Sequence, residues 1–473
     1  MSTPTASLSL RWYEYLPINI NWFAITLRSQ VLAGLVVPLL VQNFVGEAQK
    51  GTYFGTIRLW GLMVALLAQA LFGLLSDRSQ LAWGRRRPFI FIGAVLESFV
   101  ILGLAWIAGL EGMTGYAVLF TAYIASMVLA NMSHAATQGL IPDVVPPQKR
   151  GIASGLKMLL EIPLPLVLVG LVIAPIVSRG NLLLALGVTA TAMLACMGLT
   201  MLVREKRLET TPPPLDWKPL LSLVMMTAIF TGIVLGLGEA VQWAIAALPG
   251  ASQLLFGAIG VIAMLIAVVL GIFAALYVHL DASVRQSQAF VWFIISRLAA
   301  LVAINNISSF LLYFFQEKFD LPVKQAVSLA GQLPMVLGGF VIIFGLIAGW
   351  LSDRFDRRLL TALGGLIGAL GVVVMIFGPT LWLMYVAAAI IGLAYALFNV
   401  SSWALGTEII PKERAGEFLG LQNLAGAGAG AIGAYIGGRI ADHSGYLLMM
   451  GMFGVMFLLS AGTALLIQHK QNG

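Results

Sequence analysis

The feature that most constrains this chain is the stretch "LLLALGVTATAMLACMGLTMLV", residues 182–203, which holds no charged side chain. A helix that crosses the hydrocarbon core of a bilayer needs roughly 20 mostly apolar residues. Runs of this kind recur along the whole chain. They fall near 24–46, 55–76, 88–109, 115–140, 152–178 and 181–203, then at 219–245, 252–278, 290–315, 326–351, 358–378, 381–407, 417–438 and 446–468. Composition agrees: of 473 residues, 60% are hydrophobic and 10% charged, against about 25% charged in ordinary soluble domains. The expected fold class is an all-α integral membrane protein with fourteen transmembrane helices.

The formal charge of +7 does not describe a nucleic-acid-binding domain, because the cations sit in short loops between apolar runs. There they report orientation. Counted from a cytoplasmic N-terminus, the inside segments hold eighteen: Arg11, Arg78, Arg85, Arg86, Arg87, Lys149, Arg150, Arg204, Lys206, Arg207, Lys218, Arg285, Arg354, Arg357, Arg358, Lys412, Arg414 and Lys470. The outside loops hold five: Lys50, Arg179, Lys318, Lys324 and Arg439. That bias predicts both termini in the cytoplasm. The opening "MSTPTASLSLRWYEYLPINI" lacks the apolar core and small-residue site of a cleavable signal, so the first apolar run is expected to stay as a span. With Cys196 as the one cysteine, no intrachain disulfide can form.

The chain also repeats itself. "LLSDRSQLAWGRRR" recurs as "WLSDRFDRR", "PQKRGIASGL" as "PKERAGEFLGL", and "NWFAITLR" as "VWFIISR", at offsets of 276, 264 and 270 residues. Two six-span halves joined directly would give an offset of roughly 200. The excess matches one helical hairpin, namely the runs at 219–245 and 252–278. The predicted organisation is a six-helix bundle over 1–203, a cytoplasmic linker over 204–218, an inserted transmembrane hairpin over 219–289 and a second six-helix bundle over 290–473.

The repeated loop has the form Gly73, Ser76, Asp77, Arg78, Gly84, Arg85, Arg86, Arg87, then Gly349, Ser352, Asp353, Arg354, Arg357, Arg358. This resembles the major facilitator superfamily. The first copy is most similar to the sucrose–proton symporters and their bacterial relatives in the glycoside–cation symporter group. The resemblance implies two six-helix bundles and alternating access in a bacterial cytoplasmic membrane, by a monomer without a cofactor. It also implies latch residues at the helix ends, where charged pairs lock in one state and break in the other. Those positions are Asp77, Arg78, Arg85, Arg86, Asp143, Arg150, Asp353, Arg354, Arg357, Glu408 and Arg414. A purely topological role for Arg86 and Arg87 is the competing reading.

Polar residues inside the spans each need a reason, since a charge at the bilayer centre costs about 2.5–3.5 kcal/mol on insertion scales. Asn131, His134 and Gln138 share one helical face, Lys157 and Glu161 lie one turn apart before Pro163 and Pro165, and Arg28 and Arg297 open the first span of each half. Asn305 and Ser309 continue beyond Arg297, and Tyr395, Asn399 and Ser402 line another face. In the superfamily the first and fourth spans of each half border the central cavity, so Arg28, Asn131, His134, Gln138, Arg297, Asn305, Tyr395 and Asn399 are the expected substrate-binding set. His134, Glu161 and Lys157 are the expected proton-coupling set, histidine because its ordinary pKa lies near neutrality. Any of these polar groups can instead simply join helices. Glu97 and Glu239 show no stripe and are unassigned.

"GAGAGAIGAYIGG" contains a G-x-G-x-x-G at Gly428, Gly430 and Gly433, but inside an apolar span it does not report a dinucleotide site. Gly426 with Gly430, and Gly433 with Gly437, read as close-packing pairs. No P-loop, H-E-x-x-H or G-x-S-x-G occurs, so no enzyme activity is expected. The first 215 residues hold only Asp77 and Asp143 as aspartates, both outside the spans, which argues against a carboxylate-rich sodium site. The leading expectation is a secondary transporter that imports a small polar solute, such as a sugar or glycoside, with protons; an aromatic apolar cavity would favour the alternative of a proton-coupled exporter of drugs or metabolites, and a plugged cavity that of a non-transporting carrier-fold assembly factor.

Overall fold

A computed structural model describes residues 11–205, 212, 217–279, 288–409 and 415–467. Every regular element among them is helical. The first six long helices are α1 (Trp12–Val45), α2 (Lys50–Asp77), α3 (Arg87–Ile107), α4 (Gly112–Val144), α5 (Pro147–Ser178) and α6 (Leu182–Thr200). Then come α7 (Lys218–Ala247) and α8 (Gln253–His279). The last six are α9 (Gln288–Phe319), α10 (Val323–Ser352), α11 (Arg357–Phe377), α12 (Leu381–Ile409), α13 (Ala415–Ser444) and α14 (Tyr446–Leu465). Among the described residues thirteen helices are long and apolar enough to cross a membrane, and α13 is a further helix of 30 residues.

Two boundaries differ from the sequence reading. The first helix begins at Trp12 rather than near 24, because its polar opening turns find partners: Asn19 Nδ2 donates to the Tyr15 carbonyl, and Asn21 Nδ2 to Ser133 and Thr137 on α4. Arg28 therefore lies mid-helix and does not open the span. Arg439, counted above among loop cations, is buried inside α13. Pro163 and Pro165 interrupt α5 as expected. The helix breaks at Ile162 and restarts at Pro163, which needs no backbone N–H there. Short π-helical turns follow at Leu32–Val36 in α1 and Val169–Ile173 in α5.

The helices gather into two groups. In the first, α1 packs on α4, α5 and α6, while α3 packs on α4 and α6 and α2 on α4. In the second, α9 packs on α10, α13 and α14, α12 on α10 and α11, and α11 on α14. The groups meet along α2 with α13 and α5 with α10. Helices α7 and α8 pair with each other and lie against α13, with α7 also reaching α2 and α8 reaching α9 and α14. Glu239, unassigned from sequence, anchors this pair: Arg439 Nη2 donates to it at 2.8 Å and the Tyr435 hydroxyl at 3.2 Å.

The α2–α13 seam depends on glycine. A Cβ on Gly438 would lie 2.1 Å from the Gly51 carbonyl oxygen, and one on Gly55 would lie 2.2 Å from that of Ala434. Of the glycine pairs read from sequence, Gly433 meets Asn306, Gly437 meets Met449 and Gly430 meets Leu62, while Gly426 faces open space. Gly438→Val should force the two backbones apart and cost about 1–3 kcal/mol, the range for over-packing. A drop of several degrees in the thermal midpoint of the detergent-purified protein is the expected result, with Gly426→Val nearly neutral.

Candidate functional site

Tyr15 packs with Ile90, Leu140 and Val145, and the Ile467 carbonyl accepts from Arg358 Nη1 at 3.0 Å. The first and last described turns thus lie at one end of the molecule, together with Asp77. At this end Arg86 is the centre of a charged cluster in the first half. Its guanidinium bonds Asp77, Asp143 (Nε to Oδ2, 2.9 Å) and Ser76 Oγ (2.6 Å), and Arg85 joins it on Asp143. Glu205, which no sequence pattern singled out, accepts the backbone N–H of Arg86 at 2.8 Å and of Arg87 at 3.2 Å. Burial pushes the Glu205 carboxyl above its ordinary value against the pull of those N–H groups. Gly84 has φ +106 and a Cβ there would strike Glu205, so the turn requires glycine.

The second half carries a counterpart. Arg357 bonds Glu408 at 2.6 Å and approaches Asp353 at 3.9 Å, while Arg358 bonds Asp356 at 2.6 Å. The hydrogen bonds from Arg358 hold the Asp356 carboxyl below its ordinary range despite partial burial. Arg354 stacks over Trp350 at 4.3 Å. Arg150 caps α4 through the carbonyls of Pro142 (2.8 Å) and Val145 (3.2 Å). Arg78 lies at the C-cap of α2. Each of these ion pairs stays within one half. Arg414 lies outside the described residues.

The opposite end joins the halves directly. Lys50 Nζ donates to Glu47 (2.5 Å) and to Gln316 of α9 (2.9 Å), and stands over the Tyr313 ring at 4.8 Å. Asp442 of α13 accepts from the backbone N–H of Gly51 (2.8 Å) and Thr52 (2.7 Å), and the Tyr313 hydroxyl donates to the Pro38 carbonyl at 2.6 Å. Burial alone would raise the Glu47 carboxyl, but hydrogen bonds from Lys50 and Gln42 carry it below its ordinary value. The stabilisation this carboxylate contributes is present above the ordinary pKa and is lost as pH falls through the lowered one.

Between the two ends lies a cavity of about 200 Å³ lined by α1, α2, α3, α4 and α6, with Arg28, Arg58, Glu97, Asn131 and His134 among its walls. Arg28 Nε pairs with Glu97, and Ser126 Oγ both receives from Arg28 Nη2 (2.7 Å) and donates to Glu97 (3.0 Å). Glu97 thus finds its partner 69 residues away, which explains why spacing within its own span said nothing. Asn131 and His134 reach the cavity, whereas Gln138 is exposed and touches His134 Nε2 at 3.3 Å. Lys157 pairs with Glu161 at 3.4 Å and lies 3.7 Å above the Trp22 ring, whose edge meets the His134 imidazole.

The second-half candidates serve packing more than the cavity. Arg297 Nη1 donates to Ser402 at 2.5 Å and faces Trp403. Asn305 Nδ2 bonds the Gly426 carbonyl at 3.0 Å, and the Asn399 carbonyl accepts from Ser402 at 3.4 Å. Tyr395 lies within electrostatic reach of Arg297 and Glu161.

Comparison with known proteins fits this architecture. Residues 280–434 match the family model of the Major Facilitator Superfamily. A crystal structure of a mutant peptide transporter POT superposes with a TM-score of 0.69 at 18% identity, over 96% of this chain and 94% of that one. The chain has the major facilitator superfamily fold. A D-xylose–proton symporter superposes with a TM-score of 0.65 at 17% identity, over 97% and 98% of the two chains. Among sequence relatives, the lysosomal dipeptide transporter MFSD1 of Bos taurus is 27% identical over 164 residues, 34% of each protein. The class H tetracycline resistance protein of Pasteurella multocida is 32% identical over 117 residues, 25% of this chain and 29% of that protein. The chain thus spans about a third of the length of the curated relatives it matches.

Removing one member of a buried ion pair leaves the other unpaired, at a cost of about 3–5 kcal/mol. Arg28→Met should therefore lower thermal stability sharply, and Arg28→Met/Glu97→Met should recover most of the loss. A double variant as unstable as the single one would show that the pair is not what holds α1 to α3.

Proposed function

We propose that this chain is a secondary active transporter that moves a small polar solute by alternating access. The observation that carries this reading is a cavity with charged side chains in its walls, set between one end where the halves are tied together and another where Arg85, Arg86, Arg357 and Arg358 pair within their own halves. The halves 1–203 and 290–473 would rock as bodies, with the hairpin 219–289 riding on the second half through Glu239 and Arg439. In that motion the tie at Lys50 and Asp442 opens while the Asp77 and Asp353 clusters exchange partners across the gap. The cationic end faces the cytoplasm of a bacterial cell under the positive-inside bias. A reporter fused after Gly250 should then read as periplasmic, and a cytoplasmic reading would overturn the orientation.

Coupling to protons is assigned to the groups around Trp22. The Lys157–Glu161 pair is about a third exposed and can break when Glu161 takes a proton, and His134 offers a second acceptor across the indole. The test is flux in proteoliposomes loaded against labelled sugars, glycosides and dipeptides, with and without an inward proton gradient. Gradient-driven accumulation of one solute is expected, reduced at least tenfold in Glu161→Gln and His134→Gln. Accumulation unchanged in both variants would remove the coupling assignment. Efflux driven by the same gradient would favour the exporter reading.

A further inference from the structure

We infer that the cavity recognises the carboxylate of a small anionic solute and that Arg58 is the residue that binds it. Arg58 lies eight residues into α2, about 12 Å from its Lys50 end at 1.5 Å per residue. Its side chain is buried, at 8% exposure, and lines the cavity. Among the buried arginines of the described residues its situation is unlike the rest. Arg28 has Glu97, Arg86 has Asp77 and Asp143, Arg439 has Glu239, and Arg297 has the Ser402 hydroxyl and the Trp403 ring. The Arg58 Nε lacks an acceptor, as do those of Arg297 and Arg439, but the Arg58 side chain makes no hydrogen bond or ion pair through its other nitrogens either among the described residues. A guanidinium at membrane depth is costly unless an anion or dipole meets it.

Charge balance in the cavity points the same way. Its lining holds two guanidinium groups and one carboxylate, and that carboxylate is already engaged by Arg28. One positive charge remains, at Arg58. A carboxylate answers it with two parallel N–H···O bonds, the geometry that guanidinium fits best. The other polar walls suit a solute that donates. Asn21 and Asn131 use their amide N–H groups on Ser133, Thr137 and Met127, which leaves their side-chain oxygens as acceptors. A cavity of about 200 Å³ has the room of roughly six or seven liquid waters. The chemistry is therefore that of a small carboxylate bearing hydroxyl or N–H groups. This deepens the carrier reading and rests on it for the claim that the bound solute is the cargo.

The test uses the full-length protein in detergent and a panel of small hydroxy- and amido-carboxylates, each with a neutral counterpart. Gluconate against glucose and N-acetylalanine against its amide are two such pairs. At least one carboxylate should raise the thermal midpoint at millimolar concentration while its neutral partner does not. In Arg58→Gln the concentration for half-maximal shift should rise at least tenfold, and Arg58→Lys should keep part of the response. The proposal fails if neutral members stabilise as well as carboxylates, if no carboxylate stabilises, or if Arg58→Gln responds like the wild type. Should Arg58→Gln not fold, the paired-ligand comparison on the wild type and Arg58→Lys still decides. Binding at Arg58 without flux in proteoliposomes would sink the transport reading alone, and flux of a neutral solute would sink this inference alone.

Discussion

Charge at membrane depth is the constraint on which the rest of this structure depends. Water cannot answer a buried guanidinium or carboxylate there, so each must be answered by another helix or left for a ligand. The Arg28–Glu97–Ser126 cluster is the clearest case, since it binds α1, α3 and α4 through groups that no single helix could satisfy. The same demand explains Asn21 against Ser133 and Thr137, and Glu239 against Arg439. Hydrophobic packing alone gives helices in lipid little reason to choose one neighbour over another. These polar joints choose.

The two ends answer the constraint differently. At the Asp77 end the partners come from the same half: buried Arg86 pairs with Asp77, 9 residues away, and Arg357 with Glu408, 51 residues away. At the Glu47 end the partners come from opposite halves, and glycines bring the backbones close enough for Asp442 to reach the N–H groups of Gly51 and Thr52. Close backbone contact is a packing device that works only when the halves are together, whereas ion pairs at helix ends can re-form with new partners. Under the proposed mechanism the Glu47 end is the one that seals and the Asp77 end the one that exchanges partners.

What the sequence makes legible follows from the range of each interaction. The spans are local, since hydropathy over a run of about 20 residues decides them, and the helices stand where the apolar runs are. The loop repeat is local too, and within its first copy Asp77 is found paired with Arg86. The pairing of Glu97 was hidden because its partner is on another span, and the closing tie was hidden because Lys50 and Gln316 are 266 residues apart. The first boundary slipped because Glu14, Asn19 and Asn21 interrupt the apolar pattern, while in the structure Asn19 bonds within its own helix and Asn21 bonds Ser133 and Thr137 on α4. Arg58 is a different kind of miss. It has no polar neighbour at helical spacing, so a search for stripes passes over it, although the cost argument that flagged Arg28 applies to it equally.

The contrast between Arg28 and Arg297 carries the argument one step further. Both occupy matching places in the repeat, yet Arg28 has a full carboxylate partner and Arg297 only a hydroxyl and an indole face. Of the two, only the first-half arginine has an acidic partner, and the cavity with its uncompensated Arg58 lies in that same half. A fixed pair beside an unfixed cation suits the proposed binding: the Arg28–Glu97 pair holds the cavity wall in one shape, so an anion bound at Arg58 as proposed would meet a preorganised surface. Under the proposed alternating access, the more lightly held Arg297 would resist a change of neighbours less than a buried ion pair does. Helices that correspond in the sequence repeat thus carry unequal electrostatics, an ion pair in the first half against a hydroxyl and an indole face in the second.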